Sequence, residues 1–152
     1  MNRWMQLAYN SGVEGVLKGD GGPFGAVIVQ NEEIIAQAHN EVLRSNDPTA
    51  HAEVLAIRRA SAYLKRFDLS DCTLYTTCKP CPMCLGAVMW ARIPKVYYGT
   101  SEKDAAAIGF DDANFYEFIA GKKPFISMQQ IDYEESKKLF EIWMQQEKKV
   151  LY

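Results

Sequence analysis

Two stretches decide the fold of this chain: His51-Ala52-Glu53 and Pro80-Cys81-Pro82-Met83-Cys84. One histidine and two cysteines at positions i and i+3 can supply three zinc ligands, and the nearby glutamate need not be a ligand. A zinc ion held by three protein side chains keeps its fourth position open, as catalytic zinc sites do. These stretches therefore predict a catalytic zinc site.

Proline residues near both stretches predict that the ligands lie at helix starts. Asp47-Pro48 is typical of an N-cap followed by proline at the first helical position, which places His51 and Glu53 in the opening turns of a helix. The two prolines of the second stretch mark another helix start, with both cysteines on its first turn. The positive ends of the two helices would then face one point and favour thiolates.

Other interpretations of these residues stay open. A structural zinc site usually closes with a fourth Cys or His ligand, for which the candidates are His39, Cys72 and Cys78. Cys78 and the two motif cysteines could belong to an iron–sulfur run, although no fourth cysteine follows at the ferredoxin spacing. A redox CxxC pair is also possible, but it would leave the His-x-Glu stretch without a role.

The bulk composition limits the domain count and the class of partner. The chain has 152 residues, of which 48% are hydrophobic and 24% charged, so we expect one ordinary globular domain over residues 1–152. The formal net charge is −2 and the basic residues are scattered among acidic ones, so we expect no nucleic-acid partner. No apolar run could cross a bilayer and no signal segment is visible, so we expect no membrane partner and a cytoplasmic location.

Hydrophobic periodicity and turn residues predict alternating strands and helices. We expect strands at residues 24–29, 34–39, 72–77, 96–99 and 125–131, and helices at 1–18, from 47, at 81–92, from 113, and at 133–149. The first strand is almost wholly apolar, which is typical of a central strand. This order predicts an α/β fold with three layers, α/β/α, around a mixed five-stranded sheet.

The sequence resembles a known family. The spacing H-x-E followed by P-C-x-x-C is the signature of the zinc-dependent nucleobase deaminases. The chain resembles the members with a cytidine deaminase-like fold, and among these it is most similar to the bacterial guanine deaminases. The stretches that carry the resemblance are residues 22–27, 45–53, 80–87, 90–92 and 109–112. The zinc motifs are shared with tRNA adenosine deaminases. Residues 90–92 and 110–112 point more narrowly to the guanine deaminases, because the tRNA enzymes resemble this chain less there.

The resemblance implies a role for each of several residues. It implies that His51, Cys81 and Cys84 hold one zinc ion per chain and that Glu53 moves protons. It further implies that Asn40, Ala52 and Asp112 contact the base, that Asp112 also belongs to the catalytic set, and that Phe24 and Trp90 wall the pocket. The family forms homodimers that exchange their C-terminal segments, which would bring Tyr152 over the partner's site.

Simpler roles remain for some of these residues. Phe24 and Trp90 could be core residues, Asn40 could be a turn residue, and Asp112 could be the N-cap of the helix from residue 113. Asp111 is expected to be structural.

The resemblance implies hydrolytic deamination of guanine to xanthine and ammonia. Glu53 would take a proton from the attacking water, deliver it to the ring nitrogen, and help protonate the departing amine. Three alternatives are deamination of adenosine in tRNA, action on another small base or nucleoside, and a non-catalytic zinc-stabilised binding module.

Overall fold

The first helix is defined by the residues that cap it. In the computed structural model, which describes residues 2–152, helix α1 spans Arg3–Lys18. The Asn2 side chain accepts hydrogen bonds from the backbone N–H groups of Trp4 and of the residue after it, which have no partner within the helix. Gly19 ends the helix with a φ of 73°, a left-handed conformation that glycine adopts at little cost.

Four strands form one mixed sheet within residues 2–152. The strands are β1 (Gly25–Gln30), β2 (Glu33–His39), β3 (Thr73–Cys78) and β4 (Lys95–Thr100). Their order is β2-β1-β3-β4, in which β1 is antiparallel to both of its neighbours and β3 is parallel to β4. The predicted central position of the first strand is confirmed, since it has a strand on each side.

Helices cover both faces of this sheet. The remaining helices are α2 (Val42–Ser45), α3 (Ala52–Leu64), α4 (Pro82–Trp90), α5 (Glu102–Ala107), α6 (Ala113–Ile119) and α7 (Tyr133–Met144). Helix α1 packs on one face, and α3 lies on the other with α4 beside it. The predicted arrangement of a sheet between helical layers is therefore confirmed.

The central strand buries side chains in two separate cores because successive residues of a strand point to opposite faces. Val27 and Val29 pack with Trp4 of α1, while Ala26 and Ile28 join the core formed with α3 and α4. Fully burying a side chain of the size of valine or isoleucine contributes about 1.5–3 kcal/mol. This burial on both faces explains why the strand reads as a continuous apolar run.

The predicted fifth strand is wrong. Residues 125–131 form no strand, and the apolar side chains of Phe125, Ile126, Met128 and Ile131 are exposed. The segment pairs with no strand among residues 2–152, so it lacks the neighbouring backbone whose hydrogen bonds define one. Apolar composition alone led to the prediction, but pairing decides whether a strand forms.

The C-terminal part of the chain packs differently from the rest. Every residue from 121 to 152 is exposed, including Leu139 and Phe140 of α7. Helix α7 ends at Met144, a few residues before its predicted end.

Within residues 2–152, no helix combines the length and the apolar character needed to span a bilayer.

Candidate active site

Three side chains meet where two helices begin. The Nδ1 atom of His51 lies 3.6 Å from the Sγ atom of Cys81 and 3.5 Å from that of Cys84. Within residues 2–152, this is the one group of three or more His, Cys, Asp or Glu side chains placed to hold a metal ion. Sequence spacing predicted this group, and the fold brings it together.

Both helix starts place a ligand at the N-cap position. His51 precedes the first residue of α3, and Cys81 precedes the first residue of α4. The predicted helix start at Asp47-Pro48 is wrong, because the Asp47 carboxylate accepts hydrogen bonds from the N–H and hydroxyl of Thr49 and forms a turn there. His51 therefore has an extended backbone and can point to the same place as Glu53, two residues later in the helix.

Hydrogen bonding prepares the cysteine pair for a cation. The neighbouring Cys84 and His51 side chains lower the pKa of Cys81. The neighbouring Cys81 sulfur and burial raise the pKa of Cys84. The hydrogen bond to Cys81 in turn raises the pKa of His51. A metal ion that displaces these protons would be held by two thiolates and one imidazole, a donor set that suits zinc.

The residues that could close the group as a fourth ligand have other partners. The Cys78 thiol donates to the carbonyl oxygen of Ser101 at 3.6 Å, and its pKa is raised by burial. His39 is hydrogen-bonded to Asp20 at 2.8 Å, and Cys72 is a buried thiol whose pKa is raised to about 11. The three-ligand interpretation therefore fits the geometry better than a closed structural site.

Glu53 sits beside the ligands without being one of the three. Its side chain is 6% exposed and accepts a hydrogen bond from the Thr76 hydroxyl at 3.1 Å and one from the Cys84 thiol at 3.4 Å. Burial raises its pKa, since a carboxylate is costly to remove from water. A carboxyl group that holds its proton more tightly is suited to proton transfer.

A cavity of about 570 Å³ opens over this group. Its walls include Phe24, Asn40, Phe110 and Asp112 as well as His51 and Glu53. The rings of Phe24 and Phe110 meet edge to face with centroids 5.0 Å apart. Phe24 therefore lines the cavity, as the resemblance implied. Phe110 was not predicted as a wall residue, although it lies in the 109–112 stretch that carried the resemblance.

Backbone contacts fix the orientation of Asn40. Its side-chain oxygen accepts hydrogen bonds from the N–H groups of Gly22 at 3.2 Å and Val42 at 3.1 Å, which leaves the amide NH2 to donate into the cavity. Residue 21 must be glycine, because a Cβ atom there would lie 2.1 Å from the Asn40 oxygen. The turn-residue alternative is therefore incomplete, as Asn40 both holds the turn and faces the cavity.

Two adjacent aspartates divide their roles at the start of α6. The Asp111 carboxylate accepts a hydrogen bond from the Ala113 N–H at 2.9 Å, whereas the Asp112 side chain makes no capping bond. Partial burial raises the pKa of Asp112, and the negative charge of Cys81 adds to the effect. The capping role belongs to Asp111, so the Asp112 carboxylate is free to accept from a ligand.

Three predicted site residues lie outside the cavity wall. Trp90 is 67% exposed and lines a separate depression of its own chain rather than this cavity. The Tyr152 ring lies 5.8 Å from Trp90 and 6.2 Å from Phe67, in a separate depression on α3 and α4. Ala52 is fully buried between a metal ligand and the glutamate and does not line the cavity.

Comparison with known proteins agrees with the site. Residues 1–100 match the model of the cytidine and deoxycytidylate deaminase zinc-binding region. The chain is 48% identical over 142 residues to guanine deaminase from Bacillus subtilis (strain 168), an alignment that covers 92% of this chain and 91% of that protein. The X-ray structure of guanine deaminase from Bacillus subtilis matches with a TM-score of 0.93 at 47% identity, covering 100% of this chain and 99% of that one.

Two further relatives match a smaller part of the chain. A tRNA-specific adenosine deaminase from Buchnera aphidicola subsp. Schizaphis graminum (strain Sg) is 41% identical over 101 residues, 66% of each protein. The solved structure of a guanine deaminase from Nitrosomonas europaea has a TM-score of 0.67 at 33% identity, covering 72% of this chain and 63% of that one.

Proposed function

This chain belongs to the zinc-binding cytidine and deoxycytidylate deaminase family, and we propose that its reaction is the hydrolytic deamination of guanine to xanthine and ammonia. The observation that carries the substrate is the extent of the similarity. The match to a guanine deaminase covers 92% of the chain, whereas the match to a tRNA-specific adenosine deaminase covers 66%.

The protein's own groups supply the proton transfers. Bound zinc would provide a Lewis acid and lower the pKa of water. Glu53, 3.4 Å from the Cys84 sulfur, takes a proton from the attacking water and passes it to the ring nitrogen next to the reacting carbon. It then helps protonate the amino group as that group leaves as ammonia. Water and guanine are thereby converted to xanthine and ammonia with no further reactant.

Two polar side chains in the cavity match the edge of the guanine ring. Guanine carries an amino group and a ring N–H close together, and the free Asp112 carboxylate is a suitable acceptor for them. The NH2 group of Asn40 can donate to a ring acceptor. Phe24 and Phe110 provide apolar walls for the ring faces. The proposed roles of Asn40 and Asp112 follow from this complementarity.

The reaction is tested by following ammonia release from zinc-loaded protein. We expect release from guanine, and little or none from guanosine, adenine, cytosine or tRNA. The Glu53→Gln variant serves as the control for contaminating activity. Ammonia from tRNA without ammonia from guanine would instead support an adenosine deaminase, and no ammonia from any substrate would support a zinc-stabilised binding module.

We also propose that two copies of the chain pair and exchange their C-terminal segments. The support is the apolar surface that one chain leaves uncovered, which includes Ile131, Phe140, Trp143 and Leu151. Exposed apolar surface on this scale is typical of an interface. Exchange of a segment between identical chains costs little, because each segment can make the same contacts on either copy.

In this dimer we propose that Tyr152 closes the partner's cavity. Its ring is 70% exposed, and the cavity of a single chain is open to water. An aromatic lid would exclude water, strengthen the hydrogen bonds inside and keep a polynucleotide out. Deleting residues 150–152 should therefore keep zinc and fold while lowering guanine turnover.

A mixed dimer distinguishes crossed tails from local ones. One chain lacks residues 150–152, and the other is full length with Glu53→Gln. If tails cross, one of the two sites has both a glutamate and a tail, and activity returns on mixing. If each tail serves its own chain, mixing restores nothing. Light scattering on the separate proteins checks that each is a dimer.

We also propose that the protein is located in the cytoplasm. The four cysteines are free of disulfides, which suits a reducing compartment.

A further inference from the structure

The carboxylate that we assign to guanine recognition sits on a weakly held element. Asp112 immediately precedes α6, and no residue of α6 is buried. An element with little buried surface is the kind that opens locally at low free-energy cost. A carboxylate that must meet a ring edge within hydrogen-bond distance therefore needs a specific contact that fixes the helix.

Tyr116 provides that contact. Its hydroxyl donates a hydrogen bond to the carbonyl oxygen of Pro80 at 2.9 Å, next to the zinc ligand Cys81. Residues four apart lie on the same face of a helix, so the ring projects from the face that also carries Asp112. Within residues 2–152, this is the one side-chain hydrogen bond that joins α6 to the part of the chain containing the sheet.

Two neighbouring contacts hold the start of α5, and they are weaker. Lys79 pairs with Glu102 at 3.2 Å, and the Cys78 thiol donates to the Ser101 carbonyl at 3.6 Å. The ion pair is about two-fifths exposed on both sides and so contributes little, and a thiol is a weak donor. The partly buried hydroxyl bond is the strongest and most directional of the three.

We propose that Tyr116 is a positioning residue for guanine recognition: its hydroxyl holds α6 against the Pro80 carbonyl group, next to Cys81, so that the Asp112 carboxylate faces the cavity. The proposal rests on the proposed function. Cys78, Lys79 and Pro80 contact Ser101, Glu102 and Tyr116, and only the last of these contacts reaches α6.

The test measures guanine binding without turnover. In a Glu53→Gln background, we compare the dissociation constant of guanine for the parent, Tyr116→Phe, Asp112→Ala and the double variant. The control is Tyr63→Phe, since the Tyr63 ring is exposed and its hydroxyl makes no hydrogen bond to any of residues 2–152. We expect Tyr116→Phe to weaken guanine binding about three- to tenfold, as loss of one hydrogen bond would, with zinc content unchanged and the control at the parent value.

The double variant separates positioning from general destabilisation. If Tyr116 acts through Asp112, Tyr116→Phe should have no further effect once Asp112 is alanine. Equal losses in both backgrounds, unchanged guanine binding in Tyr116→Phe, or loss of zinc in that variant would each overturn the inference. If the parent itself binds no guanine, the proposed function fails, and this inference fails with it.

Discussion

Residues 2–100 and residues 101–152 differ in how much of their surface is buried. The first region contains the whole sheet, both buried cores and the three metal ligands. The second has three helices and not one buried residue. The family model also ends at residue 100, at the boundary between the two. The first region therefore forms both cores, whereas the second leaves most of its large apolar side chains exposed.

We expect this difference to place the chemistry in the first region and part of the substrate recognition in the second. Ligand atoms must converge within a few ångströms, which a packed core achieves by locking the helices that carry them. Substrate choice can reside on a more loosely held segment, such as the one that carries Asp112 and Tyr152. If this division is correct, variants of the metal ligands and of Glu53 in the first region should remove the reaction, and variants in the second region should change which base is used and how well.

The largest effect is expected from a metal ligand. Cys84→Ser should lose zinc and all measurable guanine turnover, because the site then keeps only two strong ligands. Cys78→Ser is the matched control and should keep about one zinc per chain, since Cys78 contacts a carbonyl group and lies outside the ligand group. Metal analysis with ammonia release measures both. Full zinc in the first variant, or none in the second, would contradict the ligand assignment.

The second-largest loss of activity is expected from Glu53→Gln. The amide keeps the shape of the side chain but carries no transferable proton, so turnover should fall by at least ~10²–10⁴-fold. Zinc content and circular dichroism should match the parent. Turnover near the parent value would show that another group moves the proton.

A smaller effect is expected in the second region, where two neighbouring aspartates provide a matched pair. Asp112→Ala should lower kcat/KM for guanine by about 10–10²-fold, the cost of losing a hydrogen bond to a charged group, and should reduce the preference for guanine over adenine. Asp111→Ala should leave that preference intact and cost about 0.5–2 kcal/mol of stability through the lost cap. Identical kinetics for the two variants would mean that Asp112 has no part in recognition.

The smallest effect on the first region should follow removal of residues 121–152. The shortened chain keeps every buried residue, so we expect unchanged zinc content and one cooperative unfolding transition in denaturant. It should be monomeric by light scattering and deaminate guanine poorly. A shortened chain that fails to fold would show that the C-terminal segment is part of the core of its own subunit.

Local patterns predicted much of the first region. Its strands and the helices that flank the sheet were predicted close to their observed bounds, because hydrophobic periodicity and turn residues are local signals. The start of α3 was not, since Asp47-Pro48 fits a helix cap and a turn equally well. Only the contact with Thr49 identifies the turn.

Tertiary placement explains the remaining differences within the candidate site. The sequence could not place Trp90, because an aromatic residue on an apolar helix can face either a cavity or an interface. It also could not divide the roles of Asp111 and Asp112, since either carboxylate can cap the helix that follows. Both questions depend on side-chain directions that only the packed structure provides.

The sequence by itself determined the metal chemistry of this protein. The identity and spacing of His51, Glu53, Cys81 and Cys84 predict a three-ligand zinc site with a proton carrier, because few other arrangements use these residues together. The tertiary structure alone decided that residues 125–131 form no strand and that Asp112 is left uncapped. Chemistry follows from which atoms the side chains carry, whereas pairing and exposure follow from which surfaces meet, and a linear pattern does not encode that meeting.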